Sequence, residues 1–299
     1  MDFDVIAEGL QFPEGPIWME DGSIVLVEIA RGTLTRVWNG RHEVIAELGG
    51  GPNGAAIGPD GAVYVCNNGG FSWRRWNDLL VPAGTAEDYK TGRIERVDLA
   101  TGRFERLYDN YEGHRLGGPN DIVFDRQGQF YFTDLGKRFE RTRDISGLYY
   151  GSPDGTRLAE TAYGFISLNG VGLSPDEQTV YCAETETGRL HAFGLSAPGT
   201  VDSAAPRGRI VSTLPGQQPL DSLAVEADGR VCVATIFHGG ITVFSPDGTS
   251  EHIAFPDLLT TNICFGGADL RDAYITLSGT GRLVRARWPR PGHRLNFYA

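Results

Sequence analysis

The sequence is poor in lysine and in long apolar runs, and each shortage disfavours a class of protein. Lys90 and Lys137 are the two lysines among 27 basic residues, no basic run occurs, and 38 acidic residues give a formal net charge of −11. Nucleic acids require a clustered cationic surface, so they are disfavoured as partners. No apolar run approaches the ~20 residues of a membrane-spanning helix. The acidic N-terminus also lacks the basic and apolar regions of a signal peptide, so we expect a cytoplasmic protein without a membrane partner.

The sequence also lacks the common short motifs of metal, redox and hydrolase chemistry. Four cysteines, Cys66, Cys182, Cys232 and Cys264, lie far apart in apolar stretches, and no CxxC spacing occurs. A zinc-thiolate site or redox pair is therefore disfavoured, and free buried thiols are expected. No GxSxG, HExxH or P-loop motif occurs either, which argues against a serine hydrolase, a zinc protease or a nucleotide-binding enzyme.

Glycine is abundant, at 41 of 299 residues, and it accompanies an internal repeat. Each unit has a short apolar run, a turn, and an alternating β-branched or aromatic run, which is typical of a β-hairpin. A third strand then begins at a glycine, and a fourth follows in most units. The first strands of the six units begin at Glu14, Asn53, Asn120, Asn169, Asp221 and Asn262. The mean spacing of about 50 residues suits a blade of four strands.

This repeat predicts an all-β fold, a six-bladed β-propeller with four-stranded blades in a single domain over residues 1–299. The sixth unit lacks a clear fourth strand, and the N-terminal segment FDVIAEGL (3–10) is predicted to supply it and close the ring. The second unit carries about 20 extra residues (69–91), and the third about eight (136–144). The longer insertion is predicted to be either a lid over a binding site or a loop that packs on itself. Within it, only WRRWNDLL (73–80) suggests a helix.

The six residues that begin the first strands, here called the leaders, all carry a side-chain oxygen. Equivalent positions of the blades surround the axis of a propeller, so the leaders are expected to form a ring at one mouth of the central channel. Two carboxylates and several amide oxygens suit one hard divalent cation, Ca²⁺ first. Mg²⁺ and Mn²⁺ come next, with Zn²⁺ or Fe as further alternatives, although the scattered histidines disfavour a His-rich site.

Several segments together resemble the senescence marker protein/gluconolactonase/luciferin-regenerating family. They are FPEGPIW (12–18), GPND (118–121), NGVGLSPD (169–176) and the Asp221 strand, and the resemblance covers nearly the whole chain. It implies a six-bladed propeller with one catalytic divalent cation and hydrolysis of sugar lactones or related esters. Carried over by position, it implies metal ligation by Glu14, Asn120, Asn169 and Asp221. Gly118 stands where regucalcin-like members have an arginine that binds a polar sugar, so a less polar lactone is an alternative substrate.

The resemblance therefore implies a metal-dependent lactonase with a small-molecule substrate. We expect a monomer or a small homo-oligomer. The metal would polarise the lactone carbonyl, and Asp221 would assist the attack of water. A phosphotriesterase-like hydrolase, in which Asp221 would act as the nucleophile, stays open as an alternative function. So does a non-catalytic propeller whose metal is structural and whose face binds a metabolite or protein. The expected substrate-binding residues are Asn120, Asn53, Trp73 and His238. Asp134 is expected to be a buried, orienting carboxylate.

Overall fold

Short strands and tight turns alternate along the whole chain. Residues 1–298, which a computed structural model describes, form 29 β-strands and no helix, numbered here β1–β29 in chain order. It follows that no helix in this part of the chain is long and apolar enough to span a membrane.

The strands form six antiparallel sheets, each the blade of a propeller. The first consists of β2 (Pro13–Trp18), β3 (Ile24–Glu28), β4 (Thr33–Trp38) and β5 (Arg41–Glu47). The second consists of β6 (Pro52–Ile57), β7 (Val63–Asn67), β10 (Arg93–Val97) and β11 (Phe104–Tyr108). The third consists of β14 (Pro119–Phe124), β15 (Phe130–Asp134), β16 (Ser146–Gly151) and β17 (Leu158–Phe165).

The remaining three blades follow the same plan. The fourth consists of β18 (Leu168–Leu173), β19 (Thr179–Glu184), β20 (Arg189–Ala197) and β22 (Arg209–Thr213), with the short β21 (Thr200–Val201) beside β20. The fifth consists of β23 (Leu220–Val225), β24 (Val231–Thr235), β25 (Gly240–Phe244) and β26 (Ser250–Ala254). The sixth consists of β27 (Thr260–Gly266), β28 (Asp272–Leu277), β29 (Arg282–Arg287) and β1 (Phe3–Ala7). The predicted six-bladed propeller is confirmed.

The N-terminal strand closes the ring as the sequence predicts. β1 pairs antiparallel with β29, with Phe3 opposite Ala286. The first and last strands of the chain therefore share one sheet, and the outer edge of β29 is covered.

The second-blade insertion is a β-hairpin, so the predicted helix at 73–80 is wrong. β8 (Phe71–Trp76) pairs with β9 (Leu79–Thr85). Asn77 lies in the turn with a φ of 52°, a left-handed conformation that asparagine tolerates better than most residues. A second, two-stranded hairpin, β12 (Asn110–Tyr111) with β13 (His114–Arg115), precedes the third blade.

Apolar side chains fill the space between neighbouring blades. Every residue of the second strand is buried in the first, second, third and fifth blades, which explains why these strands read as continuous apolar runs. Cys66, Cys182 and Cys232 are free and buried as predicted, whereas Cys264 is free and half-buried.

The six innermost strands surround a central channel. β2, β6, β14, β18, β23 and β27 each pack against the next, and β27 packs back against β2. In every one of them the pairing register with the second strand breaks within two residues of the leader. This repeated irregularity re-aims the leader side chain at the same level of each blade.

Glycine after a leader lets adjacent blades approach closely. A Cβ on Gly15 would lie 2.6 Å from the Asn53 carbonyl oxygen, and one on Gly170 would lie 2.7 Å from that of Asp221. Both distances are too short for a side chain. The glycines therefore set how near the leaders come to one another.

Candidate metal and substrate site

Five of the six leaders line a single cavity of about 410 Å³ at one mouth of the channel. They are Glu14, Asn53, Asn120, Asn169 and Asp221. The sixth leader, Asn262, supports the first, because its Nδ2 donates a hydrogen bond to Glu14 Oε2 at 2.7 Å. The structure thus brings together the four residues that the resemblance implies as metal ligands, and it adds Asn53 beside them.

Two amide oxygens in this ring have no hydrogen-bond partner among residues 1–298. Asn120 and Asn169 are buried, and the Oδ1 atom of each makes no hydrogen bond within the described part of the chain. The Asn169 Nδ2 donates to Thr185 Oγ1 at 3.1 Å, which turns its oxygen away from that contact. A buried carbonyl oxygen without a donor costs about 1–3 kcal/mol, so both atoms are suited to a ligand.

The two carboxylates of the ring oppose each other electrostatically. Desolvation raises the pKa of Glu14 above its usual value, against hydrogen bonds from Thr261, Asn262 and Gly15. Desolvation, and then the charge of Glu14, raise the pKa of Asp221 well above its usual range. Two carboxylates in such surroundings are stabilised together by a cation between them.

The leaders are held in place by polar side chains at the ends of neighbouring second strands. Asp134 accepts hydrogen bonds from the Gly117 and Gly118 amides at 2.7 and 2.6 Å, just before Asn120. Asp134 is therefore the buried, orienting carboxylate that the sequence predicts.

The same device recurs in three other blades, which sequence reasoning missed. Glu28 accepts from the Gln11 amide, Asn67 from the Gly51 amide and Glu184 from the Ile166 amide, each two or three residues before a leader. The available signal was a polar residue at the end of each apolar second strand, in the segments IVLVE, VYVCN and TVYCAE. Such acceptors fix the backbone from which the leader projects.

Above the polar ring the cavity wall is apolar. The residues that form it come from the blade loops and from the inserted hairpin: Phe12, Ile29, Phe71, Trp76, Val81, Pro82, Leu135, Ile236, Phe237 and Leu259. Arg74 is the one cationic residue among the described lining residues. The site therefore combines a carboxylate and amide floor with an apolar upper wall.

The inserted hairpin is fixed at both ends over this cavity. The Leu80 amide donates to the Gly279 carbonyl of the sixth blade at 2.8 Å, and Thr85 Oγ1 donates to the Arg138 carbonyl of the third at 2.8 Å. At its base, Lys137 Nζ donates to the Gly70 carbonyl at 2.8 Å and lies 4.1 Å from the centre of the Phe71 ring. The hairpin lines the cavity and packs in an apolar cluster with Phe12 and Leu259 of the blade loops, and its role as a lid stays a prediction.

Two expected substrate-binding residues lie outside the described lining of the cavity. Trp73 packs behind it, with its ring centre 5.0 Å from that of Phe12 and 5.9 Å from that of Phe71. His238 is exposed, and its ring is tilted against that of His252 with the ring centres 4.1 Å apart, while its neighbour Phe237 lines the cavity instead. Asn53 and Asn120 do line the cavity.

The donor set fits a hard, oxygen-preferring cation. Within residues 1–298, no group of three or more His, Cys, Asp or Glu side chains is arranged to hold a metal ion. The leaders instead offer two carboxylates and two unpartnered amide oxygens. Carboxylate and amide oxygens are the ligands that Ca²⁺ takes, whereas zinc sites favour histidine and cysteine.

Fold and site together define a class, the six-bladed propellers with an oxygen-lined site at one mouth of the channel. Residues 12–279 match the model of the SMP-30/Gluconolactonase/LRE-like region. The chain belongs to this family.

Relatives span most of the chain. It is 27% identical over 315 residues to a protein named gluconolactonase from Zymomonas mobilis, covering 95% of this chain and 80% of the relative. It is 29% identical to lactonase drp35 from Staphylococcus haemolyticus, covering 81% of this chain and 68% of that relative. A crystal structure of the calcium-binding protein regucalcin from Agrobacterium tumefaciens superposes with a TM-score of 0.75 at 17% identity, covering 98% of both chains. At that identity the likeness shows the fold.

Proposed function

We propose that the protein is a metal-dependent lactonase whose site is the ring of leaders. The observation behind this proposal is a single cavity lined by Glu14, Asn53, Asn120, Asn169 and Asp221, in which the Asn120 and Asn169 Oδ1 atoms lack a hydrogen-bond partner within the described residues. The relatives named gluconolactonase and lactonase support the reaction class. A small-molecule lactone is the substrate in this proposal.

Glu14, Asn120, Asn169 and Asp221 would hold one divalent cation, Ca²⁺ first. When bound, such a cation polarises a carbonyl oxygen and stabilises the negative charge that develops on it. Asp221 is partly open to the cavity, so one carboxylate oxygen is available to take a proton from the attacking water. Asn53 contributes an amide that orients the substrate, and the apolar wall excludes bulk water.

The test is hydrolysis of a panel of neutral lactones with calcium and with the chelator EGTA. Gluconolactone, dihydrocoumarin and γ-nonalactone cover polar, aromatic and alkyl lactones, and diisopropyl fluorophosphate covers the phosphotriesterase alternative. We expect lactone turnover that EGTA abolishes and added calcium restores.

Two results would contradict this function. Hydrolysis of the organophosphate alone would assign the site to the phosphotriesterase-like alternative. No turnover, together with a melting temperature raised by calcium, would indicate a structural metal in a binding protein.

A further inference from the structure

Arg74 is set apart from the rest of the cavity wall by its charge. It projects from β8 into a cavity whose other upper residues are apolar, and it faces Val81 across the hairpin. Within residues 1–298, the ion pairs of the structure do not include Arg74. Its guanidinium is therefore free to bind a group that enters from outside.

The neighbouring residue shows that this orientation comes from the strand. Arg75 is also exposed and also lies outside the described ion pairs, but it lines a separate groove with Trp73 and Leu80 on the opposite face of the hairpin. Successive side chains of a strand point to opposite faces. Arg74 therefore lines the cavity, whereas the adjacent Arg75 does not.

The negative charge of the protein makes a cation in the cavity wall informative about the substrate. The chain carries a net charge of −11. An anionic substrate that approaches such a protein is repelled unless a fixed cation receives its charge. The hairpin is tied to the third and sixth blades, so Arg74 is presented from a supported element.

From these observations we propose that Arg74 is a specificity-determining residue that binds a carboxylate on the substrate. The preferred substrate class is a lactone with an apolar side chain that ends in a carboxylate. Its ring lies over the leaders, its side chain lies along the apolar wall, and its carboxylate meets the guanidinium, which pairs with carboxylates through two N–H donors. This inference rests on the proposed lactonase function and adds the shape and charge of the substrate.

The experiment compares two γ-lactones that differ in one group. One has a five-carbon side chain ending in a carboxylate, and the other has the same chain ending in a carboxamide. Both are assayed with wild type, Arg74→Gln and the matched control Arg75→Gln. We expect Arg74→Gln to lower kcat/KM for the carboxylate lactone about tenfold, with less than a twofold change for the carboxamide. Arg75→Gln should leave both values within twofold.

A binding measurement separates this inference from the reaction itself. Titration calorimetry measures the binding of both lactones. If wild type shows no turnover, wild type is compared with Arg74→Gln. If it does turn over, Asp221→Asn is compared with the double variant that also carries Arg74→Gln. Preferential carboxylate binding that disappears with Arg74→Gln, without turnover by wild type, supports the inference and contradicts the lactonase function. Turnover in which Arg74→Gln affects both lactones equally, or a wild-type preference for the carboxamide, overturns the inference and leaves the function standing.

Discussion

The two ends of the central channel are built from the same six strands, yet they treat polar groups in opposite ways. At the cavity end, the buried Oδ1 atoms of Asn120 and Asn169 have no hydrogen-bond partner in the part of the chain that the structure describes. At the other end, the C-terminal segment 293–298 covers a space of about 110 Å³. There Asn296 Nδ2 donates to the Phe124 carbonyl at 3.0 Å and to Glu177 Oε1 at 2.7 Å, and Phe297 packs edge-on against Phe124.

One strand shows the contrast over a short distance. In β14, Asn120 faces the cavity and Phe124 packs under the C-terminal segment, four residues or about 13 Å further along. At the covered end the Asn296 amide is paired with the blades, whereas at the cavity end two buried oxygens depart from the rule that buried polar groups are paired. Such departures concentrate at functional sites, which supports the proposed site at the cavity end, whereas the covered end is expected to contribute to stability alone.

The largest expected effect is on activity, at the cavity end. Asp221→Asn removes the carboxylate that accepts the proton of water, so kcat for a lactone that wild type hydrolyses should fall about 10²–10⁴-fold. Asp228→Asn is the control, because Asp228 lies exposed in the turn of the same blade and pairs with Arg230. Near-normal kcat in Asp221→Asn would rule out the assigned role.

The same residue allows a test of base against nucleophile. In a single turnover in H₂¹⁸O, a base leaves no label in the protein, because water oxygen goes directly to the product. A nucleophilic Asp221 acquires ¹⁸O when its acyl intermediate is hydrolysed at the Asp221 carbonyl. Finding ¹⁸O by mass spectrometry in the peptide that contains Asp221 would therefore assign the nucleophilic role and contradict the role as base.

The second effect is on metal-linked stability. Calcium at about 100 times its Kd should stabilise wild type by about 2.7 kcal/mol. Asn120→Leu removes an unpartnered oxygen of the proposed ligand set, so most of this stabilisation should disappear, while the metal-free variant stays as stable as wild type or becomes more so. Asn53→Leu, in the same ring but outside that set, should retain it. Thermal unfolding with calcium and with EGTA measures both, and equal gains in Asn120→Leu and wild type would remove Asn120 from the ligand set.

The sequence predicted the ring and the leaders because both depend on short-range patterns repeated six times. A hairpin signal and the oxygen-bearing residue before it are local, and each repeat supports the others. The hydrogen-bond partners of Glu28 and Asp134 were harder to predict, since each carboxylate accepts from a backbone amide 17 residues upstream. Only the folded blade brings strand end and loop together.

The inserted hairpin could not be predicted, because its conformation depends on distant partners. The period of WRRWNDLL fits a helix. In the structure, however, the Leu80 amide donates a hydrogen bond to the Gly279 carbonyl in the sixth blade, and Asn77 lies in a hairpin turn with a left-handed φ. Where Trp73 and His238 lie likewise follows from strand faces and loop packing that local patterns do not specify. Insertions lack the sequence repetition from which the blades can be predicted.

The third effect is on the pH dependence of stability, through Lys137 at the base of the inserted hairpin. Burial lowers the pKa of Lys137 to about 7, against the charges of Asp134 and Asp144. In the unfolded chain Lys137 stays protonated to about pH 10.4, so above pH 7 the unfolded state binds more protons and stability rises with pH. This rise is at most about 1.4 kcal/mol per pH unit.

Lys137→Met should remove that rise between pH 7 and 9, measured by urea unfolding at each pH. Lys90→Met, at the exposed second lysine, should unfold with the wild-type pH dependence. A Lys137→Met profile parallel to that of wild type would show that the amine at the base of the hairpin does not titrate in this range.

The smallest effect belongs to the covered end of the channel. Phe297 is half-buried against Phe124, so Phe297→Ala should cost about 1–2 kcal/mol, less than the 3–5 kcal/mol of a fully buried phenylalanine. Because this end contributes no leader side chain to the cavity, kcat and the calcium-dependent stabilisation should stay at wild-type values. Leu295→Ala, at an exposed position of the same segment, controls for simple truncation. A Phe297→Ala variant with normal stability but impaired kcat would instead show that the two ends of the channel are coupled through strands such as β14.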